Sequence, residues 1–255
     1  MTTTAVVTGA GRGLGRCIAE RLARRGHHVI VTDIDAAAAA ATASAIGGTS
    51  LAQDVRDPDS HRAVARAAKS PIAVWVNNAG VLSVGDAWQM SDADVRRLVE
   101  INLLGVIWGC HAALAAMSEG TILNIGSLSS ITAAPGLAVY AGTKHAVLGY
   151  SLSLQGELER AGRKIHVATL CPDAMDGEMT KAVAHDGAAG ILFSGRQLTL
   201  ERVADEALAL IDSKSLVRSL PAARAALIHL FRPFPRIFLP VTEQLAKRGR
   251  RKAHR

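Results

Sequence analysis

The chain has 255 residues, of which 29 are basic and 22 acidic, so its formal charge is +7 with the histidines neutral. Hydrophobic residues account for 49% and charged residues for 20%, which is typical of a globular protein with one sizeable core and excludes a disordered chain or a collagen. The three cysteines lie far apart in the sequence, which excludes a disulfide mini-protein and a cysteine-ligated metal cluster, and no metal is expected.

Short apolar segments alternate with amphipathic segments along the first 212 residues. We predict strands at 5–8, 28–33, 49–54, 72–77, 121–125 and 165–170, and helices at 14–25, 36–46, 60–69, 92–117 (as one or two pieces), 139–160 and 200–212. Alternation of this kind predicts an α/β fold with a parallel sheet and helices on both faces. We assign this domain to residues 1–217 and predict a separate C-terminal extension at 218–255.

The extension holds most of the positive charge. It contains ten Lys or Arg residues and one acid, Glu243, whereas the preceding residues carry 19 basic and 21 acidic groups. Because the body is almost neutral and no nucleic-acid-binding module accompanies the basic extension, we expect no nucleic acid partner.

The cysteines and the N-terminus indicate a cytoplasmic protein. Three is an odd number, which favours reduced thiols. The N-terminal sequence MTTTAVVTGAG has neither the basic region nor the apolar stretch of a secretion signal. The longest apolar stretch, 101–117, contains Asn102 and His111 and is shorter than a membrane span.

A glycine-rich turn, TGAGRGLG at 8–15, separates the first predicted strand from the first helix. Glycines allow the backbone to approach a pyrophosphate closely, and the helix N-terminus supplies amide donors. The spacing is Gly-x3-Gly-x-Gly, with Leu14 where the common fingerprint has its third glycine. We predict a dinucleotide site that includes Gly9, Gly13, Leu14 and Gly15.

Two residues give opposite indications of the cofactor. Asp33 ends the second strand, 18 residues after Gly15, where a carboxylate accepts hydrogen bonds from ribose hydroxyls and repels a 2′-phosphate. Arg12, within the turn, would bind that phosphate. We favour NAD because of Asp33, and NADP remains the alternative.

Further motifs follow in a fixed order. They are Asp54-Val55 after the third strand, Asn77-Asn78-Ala79-Gly80 after the fourth, Asn102, Ser127 and Tyr140-Ala-Gly-Thr-Lys144. Together with the glycine-rich turn they resemble the short-chain dehydrogenase/reductase family over residues 4–212. The resemblance implies a single Rossmann-type domain, a doubly wound parallel sheet that binds NAD or NADP and transfers a hydride between an alcohol and a carbonyl.

The resemblance also implies roles for individual residues. Tyr140 matches the catalytic tyrosine and Lys144 the lysine that lies one helical turn further on, where an ammonium is expected to lower the pKa of the phenol. Ser127 matches the serine that binds the substrate oxygen, and Asn102 the asparagine that supports a water beside the lysine.

Other positions match the family's cofactor contacts. Asp54 and Val55 resemble the pair that contacts adenine, whereas Asn78, Ala79 and Gly80 resemble the turn near the cofactor ribose. Pro172 ends the sixth strand and is a further candidate. The family usually has glycine after this proline, but here Asp173 follows, and the acids at 173, 176 and 178 are expected to shape substrate entry.

We therefore expect an NAD(P)-dependent oxidoreductase acting on a secondary alcohol or ketone. Residues 175–197 contain no arginine pair for an anionic substrate, which favours an apolar, lipid-, steroid- or terpenoid-like compound. The alternatives are an NADPH-dependent 3-oxoacyl-thioester reductase and a catalytically silent nucleotide-binding protein. The family implies a homodimer or homotetramer.

Two interpretations of the extension stay open. Residues 221–240 contain three of the four phenylalanines of the chain, interleaved with arginines. The segment is either a helix packed on the domain or on a dimer partner, or a peripheral membrane contact. Prolines at 233, 235 and 240 argue against one continuous helix.

Overall fold

The computed structural model describes residues 2–253 and shows seven parallel strands in one sheet, in the order β3-β2-β1-β4-β5-β6-β7. The strands are β1 (Thr4–Thr8), β2 (His28–Asp33), β3 (Thr49–Ala52), β4 (Ile72–Asn77), β5 (Glu119–Ile125), β6 (Lys164–Pro172) and β7 (Val217–Leu220). Such a sheet is buried on both faces, and all five residues of β1 are buried accordingly.

Helices cover both faces of the sheet. They are α1 (Gly13–Arg24), α2 (Ala36–Ile46), α3 (Pro58–Arg66), α4 (Asp92–Val99), α5 (Gly105–Ala116), α6 (Ala138–Arg160), α7 (Glu178–Lys181), α8 (Leu200–Ile211), α9 (Ala222–Phe231) and α10 (Pro235–Ala253). One core cluster joins the sheet to α1, α2 and α8, and a second joins it to α3, α5 and α6. The predicted fold class is therefore confirmed.

The chain reverses its direction of winding between β1 and β4. These strands are neighbours in the sheet, while β2 and β3 extend it one way and β5 to β7 the other. Ligands of doubly wound sheets bind at this switch point, beyond the carboxyl ends of the strands. The glycine-rich turn after β1 and the Asn-Ala-Gly turn after β4 both lie there.

All the predicted strands and helices are present, with ends shifted by a few residues. β7 was not predicted, because its four residues lack an apolar run. The strand crosses the proposed boundary between the domain and the extension at residue 217, and that boundary stays a prediction. The helix predicted at 92–117 consists of α4 and α5 joined by one π-helical turn, Glu100–Leu104. The extension forms two helices, with Pro235 at the start of α10 and Pro240 inside it.

The continuous helix from Asp92 to Ala116 is long and apolar enough, by composition alone, to cross a membrane. It exceeds the apolar stretch considered in the sequence because α4 extends it toward the N-terminus. In the fold it is a core helix, since Val106, Cys110 and Ala113 pack against the sheet.

Helix α10 packs against a 3-10 helical segment, Gly187–Phe193, through two glycines. A Cβ at Gly249 would lie 1.8 Å from the carbonyl oxygen of Gly190, and a Cβ at Gly190 would lie 2.3 Å from the oxygen of Ala246. The backbones of the two segments therefore approach as closely as glycine alone permits.

This contact makes Gly249 essential for attachment of α10. We expect Gly249→Val to lower the free energy of unfolding by about 1–3 kcal/mol through overpacking and to speed tryptic cleavage within α10. Gly149→Val is the matched control, because a Cβ at Gly149 in α6 meets no heavy atom within 4 Å. Denaturant unfolding and limited proteolysis measure both effects; equal behaviour of the two variants would contradict the assignment.

Candidate active site

The turn after β1 leaves space and donors at the start of α1. Gly9 and Gly13 have positive φ angles of 61° and 58°, which L side chains rarely adopt. A Cβ at Gly13 would meet nothing within 4 Å, and no side chain caps the N-terminus of α1. Leu14 instead packs into the core, so only its backbone faces the turn.

The turn after β4 holds the glycine-rich turn in place. The Asn78 side chain donates hydrogen bonds to the carbonyl oxygens of Thr8 and Gly9, both at 2.9 Å. The backbone amides of Asn78 and Ala79 donate to the Thr8 hydroxyl at 3.0 and 3.1 Å. A Cβ at Gly9 would lie 2.7 Å from the Cα of Ala79, so the two turns touch through their backbones.

Asp33 lies beside the glycine-rich turn. Its carboxylate accepts hydrogen bonds from the backbone amides of Gly11 at 2.9 Å and Asp35 at 3.1 Å. These contacts orient the carboxylate at the carboxyl end of β2 and leave acceptor capacity on both oxygens. Asp35 is the N-cap of α2 and accepts from the amide of Ala38 at 3.0 Å.

Arg12 contacts α7 through Glu178. Its guanidinium lies 3.4 Å from the Glu178 carboxylate, and both side chains are largely exposed. The other acids of the run after β6 also pair with cations: Asp176 with Lys181 at 3.0 Å and Asp173 with Arg224 at 2.5 Å. The expected acidic entry is therefore neutralised by partners within the chain.

Asp54 and Val55 lie just beyond β3. The Asp54 carboxylate accepts hydrogen bonds from the backbone amide and the guanidinium of Arg56, which hold the pKa of Asp54 below its usual value. Val55 is buried, and its carbonyl oxygen accepts from His61 at 2.9 Å.

Ser127 and Tyr140 lie together beyond the end of β5. Ser127 begins a short 3-10 turn, where its hydroxyl accepts from the amide of Ser129 at 3.1 Å. Burial raises the pKa of Tyr140 to about 12, and the neighbouring Ser127 hydroxyl opposes this shift by stabilising the phenolate. The direction of this shift is opposite to the lowering expected from Lys144, because desolvation dominates.

Lys144 lies one turn after Tyr140 on α6 and is 4% exposed. Its ammonium lies 5.8 Å from the centroid of the Tyr140 ring and donates a hydrogen bond to the carbonyl oxygen of Ile125 at 2.8 Å. Burial lowers the pKa of Lys144 to about 8. An ammonium has three donors, so two remain for other partners.

Asn102 lies within the π-helical turn and is fully buried. Its amide oxygen accepts from the backbone amide of Val81 at 2.8 Å, and its amide nitrogen donates to the carbonyl oxygen of Val81 at 2.9 Å. Both ends of this buried amide therefore have a hydrogen-bond partner, without which its burial would cost free energy. A Cβ at Gly80 would lie 3.2 Å from the Asn102 oxygen and 3.8 Å from the Lys144 nitrogen, so these residues are neighbours.

A buried cysteine, which was not predicted as part of the site, lies near the Ser-Tyr-Lys group. Cys171 is fully buried next to the Ser130 hydroxyl, near Lys144. Burial raises the pKa of its thiol, which is therefore neutral. Its position just before Pro172 was the available sequence signal.

An apolar cluster beside Tyr140 was also missed. Leu82 and Val84, from the loop after β4, and Ile191 and Leu192, from the Gly187–Phe193 segment, pack against the same buried residues as Tyr140 and remain partly exposed. The shared buried residues are Ala134, Leu137 and Ala141. The first pair closely follows the Asn77–Gly80 motif but lies more than 50 residues before Tyr140 and has no pattern of its own, so only the fold brings it to the cluster that includes Tyr140.

Asp173 replaces the glycine that the resemblance predicts after Pro172. Its backbone amide donates to the carbonyl oxygen of Leu220 at 2.8 Å. Arg224 of α9 binds its carboxylate and also donates to the Ser194 hydroxyl at 2.9 Å. This ion pair joins the end of β6, the segment after it and α9.

Comparison with known proteins agrees with these features. A model of the short chain dehydrogenase family matches residues 3–188. The chain is 37% identical to 3-oxoacyl-acyl-carrier-protein reductase FabG of Escherichia coli, over 74% of this chain and 80% of that protein. It is 31% identical to the 3-oxoacyl-acyl-carrier-protein reductase of Rattus norvegicus, over 71% and 79%.

Solved structures show the same fold. A short chain dehydrogenase/reductase from Burkholderia phymatum in complex with NAD superposes with a TM-score of 0.83 at 25% identity, covering 90% of this chain and 92% of that one. A putative gluconate dehydrogenase from Agrobacterium tumefaciens gives 0.78 at 23% identity, covering 88% and 96%. By its sequence and its fold, the chain belongs to the short-chain dehydrogenase/reductase family of oxidoreductases.

Proposed function

We propose that this oxidoreductase uses NAD to interconvert an apolar secondary alcohol and its ketone. The observation that carries the proposal is the cluster of Ser127, Tyr140 and Lys144 beside an apolar surface that includes Ile191 and Leu192. A hydroxyl pair and an ammonium supply the acid–base chemistry, and the apolar side chains supply the binding surface.

The residues at the switch point fit a dinucleotide. Open space at Gly13 and uncapped amides at the start of α1 suit a pyrophosphate. Asp33 would accept from adenosine ribose hydroxyls, and Lys144 would donate to the nicotinamide ribose with its remaining N–H groups. When bound, the cofactor supplies or accepts the hydride.

We further propose that the cofactor-binding set includes Gly9, Arg12, Leu14 and Gly15 in the first turn. Asp54 and Val55 would lie at the adenine ring, and the set continues with Asn78, Ala79, Gly80 and Pro172. The contact between the Gly9 and Ala79 backbones supports this grouping, because one ligand spanning the switch point would touch both turns.

The chain's own residues would move one proton. The Tyr140 hydroxyl would give its proton to the substrate oxygen in the reducing direction and take it back in the oxidising direction. Ser127 would hold that oxygen, and the Lys144 ammonium would stabilise the phenolate. Asn102 would fix the helix turn and the loop at Val81 next to Lys144.

The choice of NAD over NADP is supported by Asp33. Its carboxylate is held at the end of β2 by the Gly11 amide, where it would repel a 2′-phosphate. Arg12, which would attract the phosphate, contacts Glu178 instead. The NAD in the Burkholderia structure supports the same choice.

A second candidate is an NADPH-dependent 3-oxoacyl-thioester reductase. It is favoured by the names of the relatives from Escherichia coli and Rattus norvegicus. Parallel turnover of a 3-oxoacyl thioester and of an apolar ketone, each with NADH and with NADPH, separates the two candidates. A catalytically silent protein would turn over neither.

The cellular location and the oligomeric state of the enzyme are also proposals. Cys17, Cys110 and Cys171 are unpaired thiols, which supports a cytoplasmic location. A homodimer or homotetramer is proposed from family membership.

Removing the Tyr140 hydroxyl should abolish proton transfer. We expect Tyr140→Phe to lower kcat by roughly 100- to 10,000-fold while the Kd for NADH changes little. Tyr150→Phe is the matched control, because Tyr150 lies on the same helix away from Ser127. Steady-state turnover and nicotinamide fluorescence measure both properties; surviving turnover in Tyr140→Phe would refute the role.

Removing the Asp33 charge should change cofactor preference. Asp33→Asn keeps an acceptor for the Gly11 amide but loses the charge, so we expect roughly tenfold weaker NADH binding and relatively tighter NADPH binding. Asp35→Ser, which retains a helix cap, is the control for general charge. If both variants changed the relative affinity for NADH and NADPH equally, the preference would come from the overall electrostatic field of the protein and not from a contact at Asp33.

Cofactor affinity should depend on pH through Lys144. A ribose that accepts from the ammonium binds its protonated form, so NADH affinity should fall as pH rises through the Lys144 pKa of about 8. Lys144→Met should bind NADH more weakly and without this pH dependence. Parallel profiles for the two proteins would show that another group titrates.

A further inference from the structure

The end of α9 and the start of α10 form an apolar projection, here called the α9–α10 corner (residues 227–241). Among the described residues, ten large hydrophobic side chains are exposed, and six of them lie in this corner. They are Leu227, Leu230, Phe234, Ile237, Leu239 and Val241. The other four are dispersed along the chain at positions 34, 88, 152 and 179. A concentration of this kind marks an interaction surface.

The corner projects from the body instead of lining a groove. Near the start of α10, residues 236, 237, 239, 240 and 241 are all exposed. At about 100° per residue they cover roughly 200° of the helix circumference. Among the residues of α10 whose burial is described, the first buried one is Thr242, followed by Ala246 and Gly249.

The corner carries positive charge without any acid. No Asp or Glu occurs between Asp212 and Glu243, and Arg232 and Arg236 stand exposed among the apolar side chains. Glu243 itself is bound by Arg250 at 3.1 Å. The exposed Arg248 and Arg251 continue the positive face along α10.

We propose that the α9–α10 corner docks the protein peripherally on an anionic lipid bilayer. Leucine and phenylalanine side chains such as Leu230 and Phe234 would enter the interface between headgroups and acyl chains, while Arg232 and Arg236 would bind lipid phosphates. A convex apolar surface fits a fluid bilayer, which closes around it, whereas a protein partner would need a matching cavity.

Charge disfavours a second copy of the chain at this surface. A symmetric contact would bring Arg232 and Arg236 of both copies together with no carboxylate between them, and like charges repel. An anionic bilayer instead complements the corner over its whole area.

Docking would act next to the site described above. From the corner, α10 runs directly onto the Gly187–Phe193 segment, whose Ile191 and Leu192 pack near Tyr140. The docking surface and the apolar side of the site are therefore connected through the packing of α10 on this segment. The docking proposal itself does not depend on the identity of the substrate.

Flotation of the full chain with vesicles tests the proposal. We expect it to float with vesicles of phosphatidylcholine plus phosphatidylglycerol, less with phosphatidylcholine alone, and less at high salt. The double variant Leu230→Ser/Phe234→Ser should lose roughly tenfold or more of its partitioning on anionic vesicles. Arg232→Gln/Arg236→Gln should lose roughly tenfold on anionic vesicles and little on neutral ones.

Matched controls carry the same changes elsewhere. Ile34→Ser/Trp88→Ser removes exposed apolar side chains that follow β2 and β4, outside α9 and α10, and Arg160→Gln/Arg202→Gln removes exposed charges; both should float like the unmodified chain. Phe234→Trp keeps an apolar side chain and should show added tryptophan quenching by brominated lipid, which tests insertion without destabilising the fold.

Three outcomes would overturn the proposal. The first is no flotation of the unmodified chain with anionic vesicles at low salt. The second is flotation of Leu230→Ser/Phe234→Ser at the unmodified level, or no added quenching in Phe234→Trp. The third is loss of an oligomer in sedimentation velocity for Leu230→Ser/Phe234→Ser without any vesicle binding, which would assign the corner to a second copy of the chain.

Discussion

The close approach of two loop backbones at the switch point is the constraint on which the rest of the structure depends. Gly9 touches Ala79, and the Asn78 amide bridges the carbonyl oxygens of Thr8 and Gly9. Any side chain at Gly9 would displace the turn after β4, and with it Gly80, which lies against Asn102 and near Lys144. The glycine-rich turn and the turn beside Asn102 and Lys144 are thus held in register by contacts to the backbone.

A series of buried hydrogen bonds between polar side chains sets the position of α6, which carries Tyr140 and Lys144. Asn77 of β4 donates to Asn124 of β5 at 2.8 Å, and Asn124 donates to Ser151 of α6 at 2.9 Å. Trp75 completes the series by donating to Asn77 at 2.9 Å. Each buried amide would cost free energy without its partner, so the network favours one register of α6 on the sheet.

Local patterns in the sequence predict the parts of this structure that local chemistry determines. The parallel strands, the Asp35 cap of α2 and the need of Asn102 for a buried partner all follow from residues near in sequence. The ion pair of Asp173 with Arg224 does not, because 51 positions separate the two residues. Strand β7 was missed because its polar residues lack a strand period, and its pairing with β6 decides its conformation. The raised pKa of Tyr140 also could not be predicted from the sequence, because desolvation depends on every segment packed around the phenol.

The ion pair between Asp173 and Arg224 explains how this chain tolerates an acid where its family usually has glycine. Burial raises the pKa of the Asp173 carboxyl, and Arg224 opposes that rise. Because Arg224 belongs to α9 and also holds Ser194, the acid is compensated only while α9 stays docked. The C-terminal helices are therefore part of the structure around the end of β6, and are not an addition to a domain that is complete without them. A membrane contact at the far end of these helices would then act on a part of the fold that the site itself requires.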